Sequence, residues 1–104
     1  MTLEREIEAY FVSECKKLGA EVRKLTWIGR RGAPDRVVFY HGVYFVELKR
    51  PGGKLRPEQQ REHARLGPHA DVRVIDSVGG VDGFIENIKR NRNNVGVARP
   101  HVAA

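Results

Sequence analysis

Cysteine is almost absent from this chain. Cys15 stands alone among 104 residues, which rules out an internal disulfide and a cysteine-ligated zinc site. That fits a reducing interior. The four histidines, His41, His63, His69 and His101, are scattered, which argues against a His-built metal site or an HNH-type centre. Of these, His63 is the one placed to lie inward. No apolar run approaches the length needed to span a bilayer, and no secretory signal is recognised, so no membrane partner is expected. Internal repeats and low-complexity tracts are also missing.

Acidic residues are in deficit. Lys and Arg number 19 against 13 Asp and Glu, giving a net charge of +6 and a pI near 9.9. Such a balance favours a polyanionic partner. The charge is concentrated: between Arg23 and Arg65 the acids are Asp35, Glu47, Glu58 and Glu62, set among a much larger number of bases. At this length one domain with one modest core is expected.

Periodicity supplies the elements. Leu3, Ile7, Phe11 and Leu18 recur at helical spacing, with Tyr10, Val12 and Cys15 widening the stripe, so residues 3–18 read as a helix that Gly19 ends. Glu4 and Glu6 face solvent; Glu8 flanks the buried stripe, and Glu14 falls near its centre. A short strand over residues 21–25 leads into a loop, 26–33, that holds Trp27, Arg30, Arg31 and two glycines. Trp27 is expected to pack on the core and the two arginines to meet phosphate. Further on, a Pro-Gly-Gly loop carries Lys54 and Arg56, two more candidate phosphate contacts. A second helix, 57–66, opens on Pro57, whose missing amide is not needed there, and puts Gln59, His63 and Leu66 on one face. Residues 71–75 read as a strand, and Val81, Phe84, Ile85 and Ile88 mark a third helix reaching residue 90. Residues 91–104 have no periodicity and read as a flexible or partner-contacting tail.

The stretch 32–49 organises the rest. Residues 36–40 and 43–48 are rich in β-branched and aromatic residues and flank His41-Gly42, a turn signal, so they read as a hairpin. Asp35, Glu47 and Lys49 are charges an apolar sheet does not need. With a two-residue loop, Asp35 falls opposite Leu48. With a three-residue loop, Tyr40-His41-Gly42, in which Gly42 takes the left-handed position, Asp35 lies across from Glu47 at about 4.5–5.5 Å between Cβ atoms, and Lys49 shares their face. Two carboxylates so close repel unless a cation lies between them. All-oxygen ligation suits Mg²⁺ or Mn²⁺.

Pro34-Asp35, eleven intervening residues and then Glu47-Leu48-Lys49 resemble the PD-(D/E)XK nuclease signature. With the basic Gly-rich lead-in Gly29-Arg30-Arg31-Gly32-Ala33, the following Arg50-Pro51-Gly52-Gly53-Lys54-Leu55 and the downstream Gln59, residues 4–84 are similar to the stand-alone VRR-NUC nucleases of phages and bacteria, which in turn resemble archaeal Holliday-junction resolvases. The resemblance implies a restriction-endonuclease-like α/β core of order αβββαβα over residues 1–90, with a mixed central sheet flanked by helices. It further implies a Mg²⁺- or Mn²⁺-dependent endodeoxyribonuclease acting on branched DNA such as four-way junctions, as a homodimer, in the cytoplasm of a bacterium or phage-infected cell. The implied catalytic set is Glu8, Asp35, Glu47, Lys49 and Gln59. The metal ligands would be Glu8, Asp35, Glu47 and the Leu48 carbonyl, with Glu14 a rival to Glu8. Phosphate would meet Arg30, Arg31, Lys54 and Arg56. A flap or nicking endonuclease, and a non-catalytic DNA-binding module on the same fold, are the competing readings.

Overall fold

The computed structural model describes residues 2–92, so residues 93–104, most of the expected tail, lie outside the described residues. The order is α1 (Glu4–Leu18), β1 (Glu21–Lys24), β2 (Arg36–Phe39), β3 (Val43–Leu48), α2 (Pro57–Leu66), β4 (Asp71–Ile75) and α3 (Val78–Asn91). This is the expected αβββαβα succession. The four strands form one mixed sheet in the order β1-β2-β3-β4, antiparallel except for the parallel β3–β4 pair.

Local chemistry accounts for the boundaries. Leu3 begins α1 with its N–H donating to Glu6 Oε1 at 2.8 Å, and Gly19 closes the helix with φ 90°, a conformation that costs glycine little. Ser77 Oγ accepts the Gly80 N–H at 2.8 Å, which starts α3 at Val78, ahead of the apolar periodicity that begins at Val81. α3 also runs one residue beyond the expected end at residue 90.

Alternation along β3 divides the molecule. Tyr44, Val46 and Leu48 join Val38, Ile7, Phe11, Cys15, Val81, Phe84 and Ile88 in one core beneath α1 and α3. Phe45, Glu47 and Lys49 face the opposite side, where α2 and the loop after β1 cover them. The edge at Tyr44 is one place where a homodimer contact could be sought. Tyr44 is instead buried, edge-on to Phe84 with the Arg73 guanidinium over its ring, so it cannot supply an intersubunit surface.

The hairpin adopts the three-residue loop. Phe39 pairs with Val43 and Arg36 with Val46, and one further step sets Asp35 across from Glu47. The left-handed residue is His41, with φ 51°, rather than Gly42. Histidine is among the side chains that visit this region more often than most.

Candidate active site

Asp35, Glu47, Lys49 and Gln59 meet on the α2 side of the sheet. Glu47 is 1% exposed, a severe environment for a carboxylate. Burial, then the neighbouring Asp35 charge, raises its pKa, while the Lys49 ammonium opposes the rise. Its Oε2 accepts from Gln59 Nε2 at 2.8 Å and lies 3.3 Å from Lys49 Nζ. Its Oε1 is buried and has no hydrogen-bond partner. Asp35 Oδ2 accepts the Leu48 N–H at 2.9 Å, which ties the start of β2 to the end of β3.

Gln59 explains how a lysine and a glutamate can be buried together. Its Oε1 accepts both from Lys49 Nζ at 3.0 Å and from the Arg56 N–H at 2.8 Å. An ammonium and an amide N–H can only donate, so the amide oxygen must face them and the NH₂ group must face Glu47. One side chain therefore caps α2, holds Lys49 and orients Glu47. His63, one turn further along α2, has a buried Nε2 with no partner. Its pKa is lowered first by burial, with Lys49 adding to the effect and Glu62 and Asp35 opposing it.

Glu8 approaches from α1 but faces Arg36. Arg36 Nη2 and Nε donate to Glu8 Oε2 at 2.9 and 3.1 Å. A cleft of about 250 Å³ opens here, with Glu8, Asp35, Lys24 and Leu48 on its walls. Glu14 pairs with Lys17 at 2.9 Å and borders a different cleft beside Ile85 and Lys89, so the structure separates it from Asp35 and Glu47.

Among the described residues no three His, Cys, Asp or Glu side chains converge as a metal cage. What is present is two carboxylates, one with an unpartnered buried oxygen, whose mutual repulsion a cation relieves. This fits Mg²⁺, which commonly takes one or two carboxylates and completes its shell with water and substrate phosphate.

The loop between β1 and β2 rests on α2. Trp27 stacks edge-on against Phe45, with ring centroids 6.5 Å apart, and its Nε1–H donates to Glu62 Oε2 at 2.8 Å. It packs against the sheet, as expected. Gly32, with φ 90°, lies so close to the Glu58 carbonyl that a Cβ there would overlap it. Arg30, Arg31, Lys54 and Arg56 are all exposed around this side, with Arg56 paired to Glu58 at 3.0 Å.

Sequence reasoning missed Glu62, Arg65 and Arg36. Glu62 is one helical turn from Gln59 and so shares its inward face, a signal that was available. Its tie to Trp27 spans 35 residues and was not.

No protein-family model matches the chain. The protein named "Putative nuclease p44" of Acyrthosiphon pisum secondary endosymbiont phage 1 is 49% identical over 65 residues, spanning 61% of this chain and 70% of that protein. The solved structure of a VRR-NUC domain superposes with a TM-score of 0.75 at 39% identity, covering 83% of this chain and 97% of that one.

Proposed function

Because the chain belongs to the VRR-NUC domain family, we propose that it is a metal-dependent endonuclease that hydrolyses phosphodiester bonds of branched DNA, four-way junctions in particular. The observation that carries this reading is the facing pair Asp35 and Glu47, with the buried, unpartnered Glu47 Oε1 and Lys49 held beside them by Gln59. Asp35, Glu47 and the Leu48 carbonyl would hold the cation, and Glu8, which is paired with Arg36, would contribute directly or through water. Bound there, Mg²⁺ or Mn²⁺ would supply Lewis-acid polarisation of the phosphate and a water of lowered pKa. Lys49 orients that water, helps deprotonate it and stabilises the developing negative charge. Gln59 keeps the Lys49 ammonium aimed at the site. Arg30, Arg31, Lys54 and Arg56 grip phosphates without reading bases, which suits selection by DNA shape. One site cuts one strand, so symmetric cutting of a junction requires two sites in a homodimer.

The test is a cleavage panel of linear, flap and four-way DNA with Mg²⁺ or Mn²⁺, run with Asp35→Asn and Lys49→Ala. Lys49→Ala should lower cleavage about 10²–10⁴-fold. Asp35→Asn should abolish cleavage while DNA binding is retained or tightens, because a charge that repels phosphate is gone. Lys49→Ala should weaken binding slightly. If wild type cuts none of the substrates with either metal, and both variants bind as it does, the chain is a DNA-binding module. Flap cleavage without junction cleavage would transfer the assignment to a flap endonuclease.

A further inference from the structure

Glu62 is a second buried carboxylate, away from the metal ligands. It is 4% exposed, yet three donors from two parts of the chain converge on it. Trp27 Nε1 donates to Oε2 at 2.8 Å, Arg65 Nη2 and Nε donate to Oε1 at 3.0 and 3.1 Å, and Arg30 Nε lies 3.4 Å from the same oxygen. Burial pushes the Glu62 pKa up, but the Arg65 and Trp27 hydrogen bonds and the Arg30 charge outweigh it and leave it below the ordinary glutamate value. The carboxylate therefore stays ionised and keeps both guanidinium groups at one oxygen.

An ordinary surface ion pair within α2 would need only Arg65. Arg30 arrives from a loop 32 positions earlier, and Gly32 sits flush on the Glu58 carbonyl to let that loop approach. Both arginines remain about half exposed, 56% for Arg30 and 51% for Arg65. Among the described residues, Arg65 Nη1 and both Nη groups of Arg30 make no hydrogen bond. Two guanidinium groups thus share one carboxylate oxygen, Arg65 by two hydrogen bonds and Arg30 by an ion pair, and both keep unused donors on half-exposed side chains. A phosphate diester accepts hydrogen bonds from such a pair with little further ordering of either side chain. Arg65 lies six residues beyond Gln59 on α2, about 9 Å along the helix axis from the residue that holds Lys49.

We propose that Arg30 and Arg65 form a phosphate clamp for the DNA backbone beside the cleavage site, and that Glu62 is its positioning residue. This deepens the nuclease reading and rests on it.

Net charge and positioning make opposite predictions for Glu62→Gln. That change raises the local charge by one, so if Glu62 matters only as a charge, DNA binding tightens and its salt dependence steepens. A glutamine cannot offer the oxygens that hold Trp27, Arg30 and Arg65 together, so if Glu62 positions the clamp, binding weakens and the log–log salt slope becomes shallower. Each lost phosphate contact is worth about 0.9 in that slope on duplex DNA. The experiment measures affinity for a duplex and a four-way junction over a salt series, with Ca²⁺ in place of the catalytic metal, for wild type, Glu62→Gln and Arg65→Ala. Trp27 is the only tryptophan, so its emission reports the loop directly. The expected result is a slope shallower by about 0.9 for Arg65→Ala with Trp27 emission unchanged. Glu62→Gln should weaken binding, with Trp27 emission shifted toward that of an exposed indole. Arg65 is half exposed, so Arg65→Ala stays informative even if Glu62→Gln misfolds. Wild-type slopes in Arg65→Ala, or tighter binding in Glu62→Gln, overturn the clamp while leaving the nuclease reading intact. Wild type failing to bind either DNA overturns both.

Discussion

Gln59 fills both acceptor positions of its amide oxygen and gives an N–H to Glu47, so three neighbours depend on it at once. Replacing it with alanine removes the acceptor for a buried ammonium and the donor to a buried carboxylate. Leaving such groups unsatisfied costs about 1–3 kcal/mol each. Gln59→Ala should therefore lower the urea midpoint without changing the m-value, and cleavage should fall because Lys49 is no longer held. A variant with wild-type midpoint and wild-type activity would mean that Lys49 and Glu47 hold their places unaided. Gln59 was visible in the sequence as a helix-start glutamine near the site. Its cap to Arg56 and its amide orientation became visible only once Lys49 and Glu47 were placed around it.

At the scale of elements, the loop between β1 and β2 is fastened to α2 by an acid whose titration can be followed. The folded-state pKa of Glu62 lies below its unfolded value. Its contribution to stability is therefore complete above the ordinary glutamate value of about 4.3 and is lost as pH falls from there through the depressed folded value. Glu58, lowered by a backbone hydrogen bond and by Arg56, acts in the same direction on the same helix. Acid titration of wild type should show Trp27 emission moving toward the exposed value below about pH 4, while Glu62→Gln should already show it at neutral pH. Identical acid titration curves for the two would mean that Glu62 does not fasten the loop. The same loop shows why sequence legibility was uneven. β3, α2 and β4 have the limits that alternation, Pro57 and spacing imply. Those signals lie within one element. The Glu8–Arg36 and Glu62–Trp27 pairs join elements, and no local period encodes them. The hairpin register depended on the loop length, which both turn chemistries allowed until the Phe39–Val43 pairing decided it.

For the whole molecule, the proposed junction cutting needs two copies. Tyr44 is excluded from any contact, but Phe39 and Val43, a cross-strand pair at the hairpin tip, are 45% and 47% exposed, and Val74 on edge strand β4 is 48% exposed. Sedimentation equilibrium at micromolar concentration should give a dimer. A monomer with and without four-way DNA would count against symmetric cutting and favour a single-strand flap cut. Among the described residues no helix is long and apolar enough to cross a membrane.

The three-residue loop between β2 and β3 has a consequence for the order of folding. A hairpin closed by so few residues can zip in about 1–10 μs. The parallel β3–β4 pair must wait until the chain has returned past α2, a longer closure that is slower to find. Asp35 and Glu47 are thus brought face to face by a local closure, whereas Gln59 braces Lys49 only once α2 docks across the sheet. The closed hairpin carries two opposed negative charges that α2 must reconcile, so the two candidate cation ligands work against the closure of the turn that aligns them.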